Sequence, residues 1–294
     1  MTRRDLLKNT TAGALGLWAA RRSFAQQRFA QQRLSDKIVL MDAGGANVVS
    51  CSTSDGLVVV DSGVPKSMPA ASNARILFNT HYHMDQTGNN EIFGAAGAKI
   101  IAHERTRQWM ATDYWVPAED RYEKARPKAA RPTEVFETTG TLQFGGEQID
   151  YGYLELAHTS GDIYVHFKNA NVLAVGDVAS PERDPALDWF TGAWIGGRVD
   201  AMDQILKLTN DQTKIVPAYG PVMTRAEFKA ERDMMDTVRK RLFDQVREGE
   251  GPKDMLEAGL LNGLARTWKE PSKFLYDADK GLWAHHDKID HNVV

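Results

Sequence analysis

The most informative segment of this chain reads Thr80-His81-Tyr82-His83-Met84-Asp85-Gln86-Thr87-Gly88-Asn89. It follows the apolar run Ile76-Leu77-Phe78, which is typical of a short buried strand. In extended backbone the side chains of His81, His83 and Asp85 would project to the same side, because the side-chain period is two. Imidazole and carboxylate groups are ligands of Zn²⁺, so the pattern predicts a metal site at the end of a strand. The alternative is a pair of surface histidines that bind no metal.

Two more residues able to bind a metal follow predicted strands in the second half of the chain. His158 lies in Ala157-His158-Thr159-Ser160-Gly161-Asp162, directly after an alternating run from Ile149 to Leu156. Asp177 lies in Val175-Gly176-Asp177, which also follows an apolar run. Loops that leave the strands of a rigid sheet commonly hold the chemistry of α/β proteins. We therefore assign both residues to the same predicted site.

Together these three segments resemble the metallo-β-lactamase superfamily. The chain has an H-x-H-x-D motif, then a histidine in an H-T-x-G-D segment, then a G-D aspartate, and the resemblance runs roughly from Lys37 to Gly249. It implies an α/β fold of the αββα type, in which two mixed β-sheets are flanked by helices. Periodicity alone indicates only an α/β protein.

The resemblance also implies a ligand set. His81, His83 and His158 would hold a first metal ion, and Asp85 and Asp177 would contribute to a second. Three protein ligands leave one position of a tetrahedral zinc open for water, which is the geometry of catalytic zinc.

Two positions depart from the pattern of the superfamily. Gln86 stands where many of its hydrolases continue the first motif with histidine, and Tyr219 replaces the late histidine in Pro217-Ala218-Tyr219-Gly220-Pro221. An amide oxygen is a weaker zinc ligand than imidazole, and a tyrosine must first lose a proton of pKa about 10. We therefore predict one firmly bound Zn²⁺, with the second ion weak or absent.

These residues predict a zinc-dependent hydrolase that uses a metal-bound hydroxide on an ester, a lactone or an amide, β-lactams included. Asp85 would orient or deprotonate the water as a general base. Tyr219 would donate its hydroxyl to a developing oxyanion, or else pack under its loop. Phosphodiester cleavage is disfavoured because it usually exploits two metal ions. The alternatives are a catalytically idle periplasmic binding protein and a redox protein with iron in the site.

The N-terminus predicts export. Arg3 and Arg4 precede a short apolar stretch, and residues 23–25 read Ser-Phe-Ala, so residues 1–25 resemble a cleaved twin-arginine signal peptide. We expect a bacterial periplasmic or secreted protein, exported folded, without a stable membrane anchor. Residues 26–36 are expected to form a flexible leader, and residues 37–294 a single domain with C-terminal helices and a tail.

Charge favours a small-molecule substrate. The removed segment holds five basic residues and one acidic residue, so the formal net charge changes from −3 to −7 on cleavage. This balance argues against nucleic acid or an anionic membrane as the main partner. The sequence leaves the oligomeric state open.

Secondary structure is predicted from periodicity and turn signals, and His166, which alternates with Val165 and Phe167, is expected to face solvent. Thr224 and Glu227 form a capping-box pattern. Helices are predicted at Glu104–Thr112, Arg121–Ala130, Val199–Leu208 and Arg225–Gly249. Strands are predicted at Ile38–Met41, Val48–Cys51, Leu57–Val60, Ile76–Asn79, Ile100–Ala102, Leu142–Phe144, Ile149–Leu156, Ile163–Phe167, Val172–Val175 and Lys214–Val216.

Aromatic residues are concentrated in two segments where the superfamily elaborates its substrate groove. Such residues either form the walls of a pocket for a bulky, partly apolar substrate or pack in the core. Arg183 and Arg198 are two candidates for recognising a substrate carboxylate or phosphate, and the sequence does not choose between them. The aromatic residues are Trp109, Tyr114, Trp115, Trp189, Phe190 and Trp194.

Overall fold

The computed structural model of the chain describes residues 31–68 and 74–285, so the predicted signal peptide lies outside the described residues. Two large sheets and one hairpin account for the strands of this part. Their bounds are β1 Gln31–Arg33, β2 Ile38–Ala43, β3 Ala46–Thr53, β4 Gly56–Val60, β5 Ala74–Phe78, β6 Lys99–His103, β7 Tyr114–Val116, β8 Arg121–Glu123, β9 Glu134–Phe136, β10 Thr139–Phe144, β11 Glu147–Tyr153, β12 Ile163–Phe167, β13 Val172–Gly176 and β14 Lys214–Pro217.

Both large sheets are mixed. The first has the order β1-β2-β3-β4-β5-β6-β9, antiparallel from β1 to β4 and parallel from β4 to β9. The second has the order β10-β11-β12-β13-β14, in which only the last pair is parallel. Strands β7 and β8 form a separate antiparallel hairpin.

The helices lie on the outer faces of the sheets. The longest begins at a capping box in which Thr224 and Glu227 bond to each other's backbone, as predicted. Among the described residues no helix is long and apolar enough to span a membrane. The α-helices are α1 Met84–Thr87, α2 Asn90–Ala95, α3 Glu104–Ala111, α4 Ile195–Leu208, α5 Arg225–Arg247, α6 Pro252–Glu257 and α7 Pro271–Ala284, with short 3-10 helices at Pro117–Glu119, Lys128–Ala130 and Trp189–Thr191.

Successive side chains along a strand point alternately into the core between the two sheets and into the core between a sheet and its helices. On β4, Val58 and Val60 face the core between the two sheets, whereas Val59 faces a second core that includes Phe93 of α2. On β13, Val172 faces the inter-sheet core, and its neighbour Leu173 packs toward the core formed with α4, α5 and α7. Two sheets, each covered by helices on its outer face, confirm the αββα sandwich that the resemblance implied.

Two expectations are wrong in detail. The second part of the predicted leader is not flexible, because residues 31–33 pair with β2 and Leu34 is buried in the inter-sheet core. The helix predicted at residues 121–130 is absent from the described structure there: residues 121–123 form β8, and residues 128–130 form a 3-10 turn. Pro127 explains this outcome, since a proline disfavours helical backbone in the residue before it.

His166 was also predicted wrongly. Its neighbours Val165 and Phe167 face the inter-sheet core, so its own side chain turns to the opposite face of the sheet. That face is covered by the helical layer rather than open to solvent, and His166 is only 3% exposed. Cys51, by contrast, is a small buried residue of β3.

Candidate metal centre

Three histidines from two separate loops meet at one end of the sandwich. His81 and His83 follow β5, and His158 lies in the loop between β11 and β12. One ring nitrogen from each lies within 4.8 Å of the other two. The Nε2 atom of His158 is 3.1 Å from Nδ1 of His83, and Nε2 of His81 is buried without a hydrogen-bond partner among the described residues. This convergence of imidazole nitrogens fits a divalent metal ion such as zinc.

The second nitrogen of His81 is held by a short chain of hydrogen bonds. Its Nδ1 lies 3.1 Å from the hydroxyl oxygen of Thr80. Thr80 in turn donates its hydroxyl and its backbone N–H to the carboxylate of Asp61, over 2.7 and 2.8 Å. Because the Thr80 proton is directed at Asp61, its oxygen accepts from Nδ1–H of His81, which leaves Nε2 as the ligand atom. Asp61 is therefore a supporting residue and not a ligand.

The other two histidines are oriented in the same way. Nδ1 of His158 lies 2.9 Å from the backbone oxygen of Ala186. Nε2 of His83 lies 3.2 Å from Oδ2 of Asp188, and the buried hydroxyl of Tyr82 donates to the same oxygen. Such partners fix the tautomer and the ring orientation of metal-binding histidines.

The ionisation of the histidines reflects their surroundings. Burial, with the charges of the neighbouring histidines, holds the pKa of His81 well below its usual value. Burial lowers the pKa of His83 as well, but the hydrogen bond and charge of Asp188 outweigh it and raise the pKa to about 9. His81 is thus kept neutral, as a metal ligand must be.

Two carboxylates border the three histidines. Oδ2 of Asp177 lies 3.7 Å from Nε2 of His81 and 3.8 Å from Nε2 of His158. Burial, together with the charge of Asp85, raises the pKa of Asp177 to about 7. Asp85 lies in the first turn of α1, since His83 is the N-cap of that helix. The expectation of extended backbone from residue 81 to 85 is therefore wrong, because a helix begins between His83 and Asp85.

Tyr219 is packed and also points its hydroxyl at the site. The residue is 5% exposed, and its ring contacts Ala46 and Ala218. Its hydroxyl donates to Oδ2 of Asp85. The guanidinium carbon of the exposed Arg183 lies 3.1 Å from the centre of the tyrosine ring. Tyr219 is thus packed, as one of the two sequence readings expected, and its role as a donor to an oxyanion stays a prediction.

The structure separates the two candidate arginines. Arg198 is completely buried in α4, where it donates to the Ser180 hydroxyl and the Ala186 backbone oxygen. It supports the loop that orients His158 and has no access to a substrate. Arg183, at the edge of the site, remains accessible.

Gln86 differs from the histidines in its surroundings. The residue is fully buried in α1, and neither oxygen nor nitrogen of its amide has a hydrogen-bond partner in the described part of the chain. Its backbone oxygen accepts from the N–H of Ser62. It is not one of the residues whose ligand atoms converge.

A cleft of about 430 Å³ opens over His83 and His158. Aromatic side chains form much of its wall, as expected from the sequence for three of the six candidates: Tyr114, Trp189 and Phe190. Trp109 packs behind this wall against Tyr114, with ring centres 5.0 Å apart. Trp194 belongs to the core around α4, and Trp115 packs on Tyr122, so neither lines the cleft.

A larger surface groove of about 830 Å³ lies beyond Trp109 and Tyr114. It contains none of the three histidines, so its size does not make it the reactive site. The chemistry of the lining residues favours the smaller cleft.

Comparison with known proteins agrees with this geometry. Residues 42–220, more than half of the chain, match the model of the metallo-β-lactamase superfamily. The chain belongs to this superfamily. It is similar to the metallo-β-lactamase IND-1 of Chryseobacterium indologenes, with 23% identity over 143 residues, 49% of this chain and 54% of that protein. This chain thus spans about half the length of the curated relative that it matches.

Solved structures share the fold. A metallo-β-lactamase from Pontibacter korlensis superposes with a TM-score of 0.58 and 17% identity over 71% of this chain and 99% of that one. The stereoselective inverting sec-alkylsulfatase Pisa1 from Pseudomonas sp. superposes with a TM-score of 0.63 and 13% identity, covering 88% of this chain and 50% of that one. Superfamily hydrolases act on small molecules and are commonly metal-dependent, which agrees with the coarse prediction for this chain.

Proposed function

We propose that this protein is a mononuclear zinc hydrolase of carboxylic esters, lactones or amides. One observation supports this best: three buried imidazole nitrogens converge beside an open cleft, and each ring is held by a second hydrogen bond. Structural support of this kind is typical of metal sites. A chance cluster of histidines has no reason to fix all three rings.

When bound there, zinc supplies a Lewis acid and lowers the pKa of a coordinated water to about 7. Asp85 then accepts or steers a proton at its carboxylate, which lies next to Asp177 and the histidines. The Tyr219 hydroxyl donates its single proton to Asp85 in this structure, and on turning from Asp85 to the substrate it becomes a donor for negative charge that develops on the substrate oxygen. Tyr114, Trp189 and Phe190 exclude water from the reacting group and hold an apolar substrate body.

A single metal ion is favoured by the same contacts. One oxygen of Asp85 accepts a hydrogen bond from Tyr219, and Gln86 offers only a neutral amide. A second cation would therefore depend mainly on Asp177. This argues for ester, lactone or amide chemistry over phosphodiester cleavage, which usually uses a pair of ions.

The metal stoichiometry and the activity are tested together. We expect about one zinc per chain by elemental mass spectrometry of the folded protein, with hydrolysis of at least one member of a panel of esters, lactones and β-lactams. A sec-alkyl sulfate belongs in the panel because of the structural likeness to an alkylsulfatase. His158→Ala should lose both metal and turnover, whereas His285→Ala, a histidine outside the cluster, should keep both.

Two results would contradict the proposal. A folded protein that contains no metal after growth with zinc would exclude the metal centre. Bound zinc with no turnover across the panel would favour a binding protein on the same fold, a function that the replaced residues Gln86 and Tyr219 are compatible with.

Export is part of the proposal. The pair Arg3-Arg4 and the Ser-Phe-Ala sequence at residues 23–25 support export of the folded, metal-loaded protein to the periplasm by the twin-arginine route. Replacement of both arginines by lysine should leave the protein in the cytoplasm of a bacterial host, as measured by cell fractionation. Unchanged export of that variant would exclude this route.

A further inference from the structure

A second feature of the cleft is the side chain of Arg126, most of which is buried. Arg126 lines the same cleft as His83 and His158, yet the residue is only 9% exposed. Its backbone is pinned on both sides, since its N–H donates to the Met110 oxygen over 2.8 Å and its own oxygen accepts from Nε of Arg131 over 2.7 Å. The base of the side chain is therefore fixed relative to α3.

Three arginine or lysine side chains line the cleft among the described residues, and two of them are well paired. Arg121 donates to both Glu119 and Glu123, and Lys273 donates to Asp277. These charges are already satisfied by carboxylates at hydrogen-bond distance.

Arg126 is the exception. Its nearest carboxylate oxygen, Oε2 of Glu123, is 3.9 Å from Nη1, which is too long for a hydrogen bond. The other oxygen of Glu123 is already used by Arg121. No hydrogen-bond acceptor for the Arg126 guanidinium occurs in residues 31–68 or 74–285. A guanidinium has five N–H donors, and those of Arg126 that face the cleft are left for a ligand.

The surroundings of Arg126 are aromatic. Burial raises the pKa of the Tyr114 hydroxyl to about 12, and the charge of Arg126 opposes this rise, so the two side chains are close. The rings of Tyr114 and Phe190 stack with centres 6.5 Å apart and line the same cleft as Arg126 and the histidines. The cleft thus combines two of the three histidines, an aromatic wall and a cation.

We propose that Arg126 binds an anionic group of the substrate, a carboxylate or a sulfate, while the aromatic wall holds the apolar body of the same molecule. The planar fork of N–H donors in arginine matches the paired oxygens of these groups. The substrate class is then an ester, lactone or amide that carries a remote negative charge. This part deepens the proposed hydrolase and depends on it, but the anion site itself does not.

Anion binding is tested without turnover. Isothermal titration calorimetry is done on the full chain, both stripped by a chelator and reloaded with zinc, with 4-phenylbutyrate, its neutral amide and 2-phenylethyl sulfate as probes. We expect both anions to bind at least tenfold more tightly than the amide in each form. The relative affinity of carboxylate and sulfate then decides which group the site prefers.

Variants assign the effect to one side chain. Arg126→Gln should weaken binding of the preferred anion at least tenfold and leave the amide unchanged. Lys124→Gln removes a paired cation that directly follows the same hairpin and does not line the cleft, so it should bind the anion as the wild type does. Equal affinity of the wild type and Arg126→Gln for the anion would overturn the proposal, and so would equal binding of acid and amide.

A charge-reversal variant distinguishes anion binding from a purely structural role of Arg126. Arg126→Glu should reverse the preference, so that 4-phenylbutylammonium binds more tightly than 4-phenylbutyrate, a gain that misfolding cannot produce. If Arg126→Glu folds and shows no such gain, the proposal is wrong. Arg126→Lys, which keeps the charge but not the fork, should retain part of the affinity.

Kinetics separate this proposal from the proposed function. For an ester substrate with a remote carboxylate, Arg126→Gln should raise KM at least tenfold with kcat within a few-fold, and should not affect the neutral analogue. If no substrate is hydrolysed at all, the calorimetric preference for anions still stands. If esters are hydrolysed but anions bind no better than amides, the proposed hydrolase function is supported and the proposed role of Arg126 is wrong.

Discussion

The Tyr219 hydroxyl donates a hydrogen bond to Oδ2 of Asp85, and so joins the loop after β14 to the first turn of α1. This contact occupies a carboxylate oxygen at the position where the superfamily pattern places a second metal ion. The ring of Tyr219 is fixed from the other side by the guanidinium of Arg183. Asp85, Tyr219 and Arg183 therefore form an ordered arrangement where the sequence analysis expected a weak or absent second metal ion.

The first prediction is that two substitutions restore a second metal ion. In the double variant Gln86→His and Tyr219→His, two neutral imidazoles replace an amide and a phenol, and Asp85 is released from its hydrogen bond. We expect about two zinc ions per chain by elemental mass spectrometry, against one for the wild type.

A single variant is the control for this prediction. Tyr219→Phe removes the hydrogen bond to Asp85 but adds no ligand, so its zinc content should stay at one. A double variant that still binds one ion would show that the geometry of α1, and not the identity of the side chains, prevents the second site.

The second prediction concerns the hydroxyl of Tyr219 in turnover. Tyr219→Phe keeps the buried ring and its stacking on Arg183, and the loss of one hydrogen bond should cost only about 1 kcal/mol in the free energy of unfolding. The loss of a donor beside the reacting group should lower kcat by roughly 10- to 100-fold. Steady-state kinetics and a urea titration on the same preparation check both parts. An unchanged kcat would show that the Tyr219 hydroxyl has no part in turnover and that the residue only packs.

The third prediction is that Asp188 controls metal affinity. Its Oδ2 holds both His83 and Tyr82, so Asp188→Asn removes the charge that orients His83. Loss of such a supporting carboxylate typically weakens metal binding by about 10- to 100-fold. Competition with a zinc chelator measures the dissociation constant. Asp203→Asn, which disrupts a surface ion pair with Arg232, is the matched control and should bind zinc as the wild type does.

The convergence of the three histidines could be predicted from the sequence because they lie in short motifs. His81 and His83 are two residues apart, and His158 follows a strand with a recognisable Thr-Ser-Gly-Asp continuation. Asp188 could not be found in this way. It lies 105 residues after His83 in a segment without a motif, and only the folding of that segment brings it to the histidine.

The wrong helix at residues 121–130 has a different cause. It was predicted from periodicity, and the prediction gave too little weight to Pro127, which follows Arg126 directly. Asp120 adopts a left-handed conformation with φ of 49° and turns the chain between β7 and β8. Aspartate tolerates this conformation better than most residues, but a single Asp is a weak signal for a turn. Because of this error, the hairpin of β7 and β8, which precedes Arg126 in the chain, was not predicted.

The fourth prediction concerns the acid stability of the fold through His166. Burial and the charge of Lys168 lower the pKa of this histidine from 6.5 to about 4 in the folded protein. Between these two values the unfolded chain binds a proton that the native state does not, so stability falls as the pH falls. The loss from this residue should be about 2 kcal/mol at pH 5 and on the order of 3 kcal/mol at pH 4.

His166→Gln removes this titration while keeping a polar side chain on β12. Urea unfolding of both proteins at pH 7.5, 6, 5 and 4 measures the difference. The stability of the variant relative to the wild type should rise as the pH is lowered, because only the wild type must keep a buried imidazole neutral. Other titrating groups, such as the buried aspartates of the metal centre, are common to both proteins and cancel in this difference. A difference that stays constant from pH 7.5 to 4 would show that His166 takes up its proton as readily in the native state as in the unfolded chain. That result would contradict the burial of this side chain.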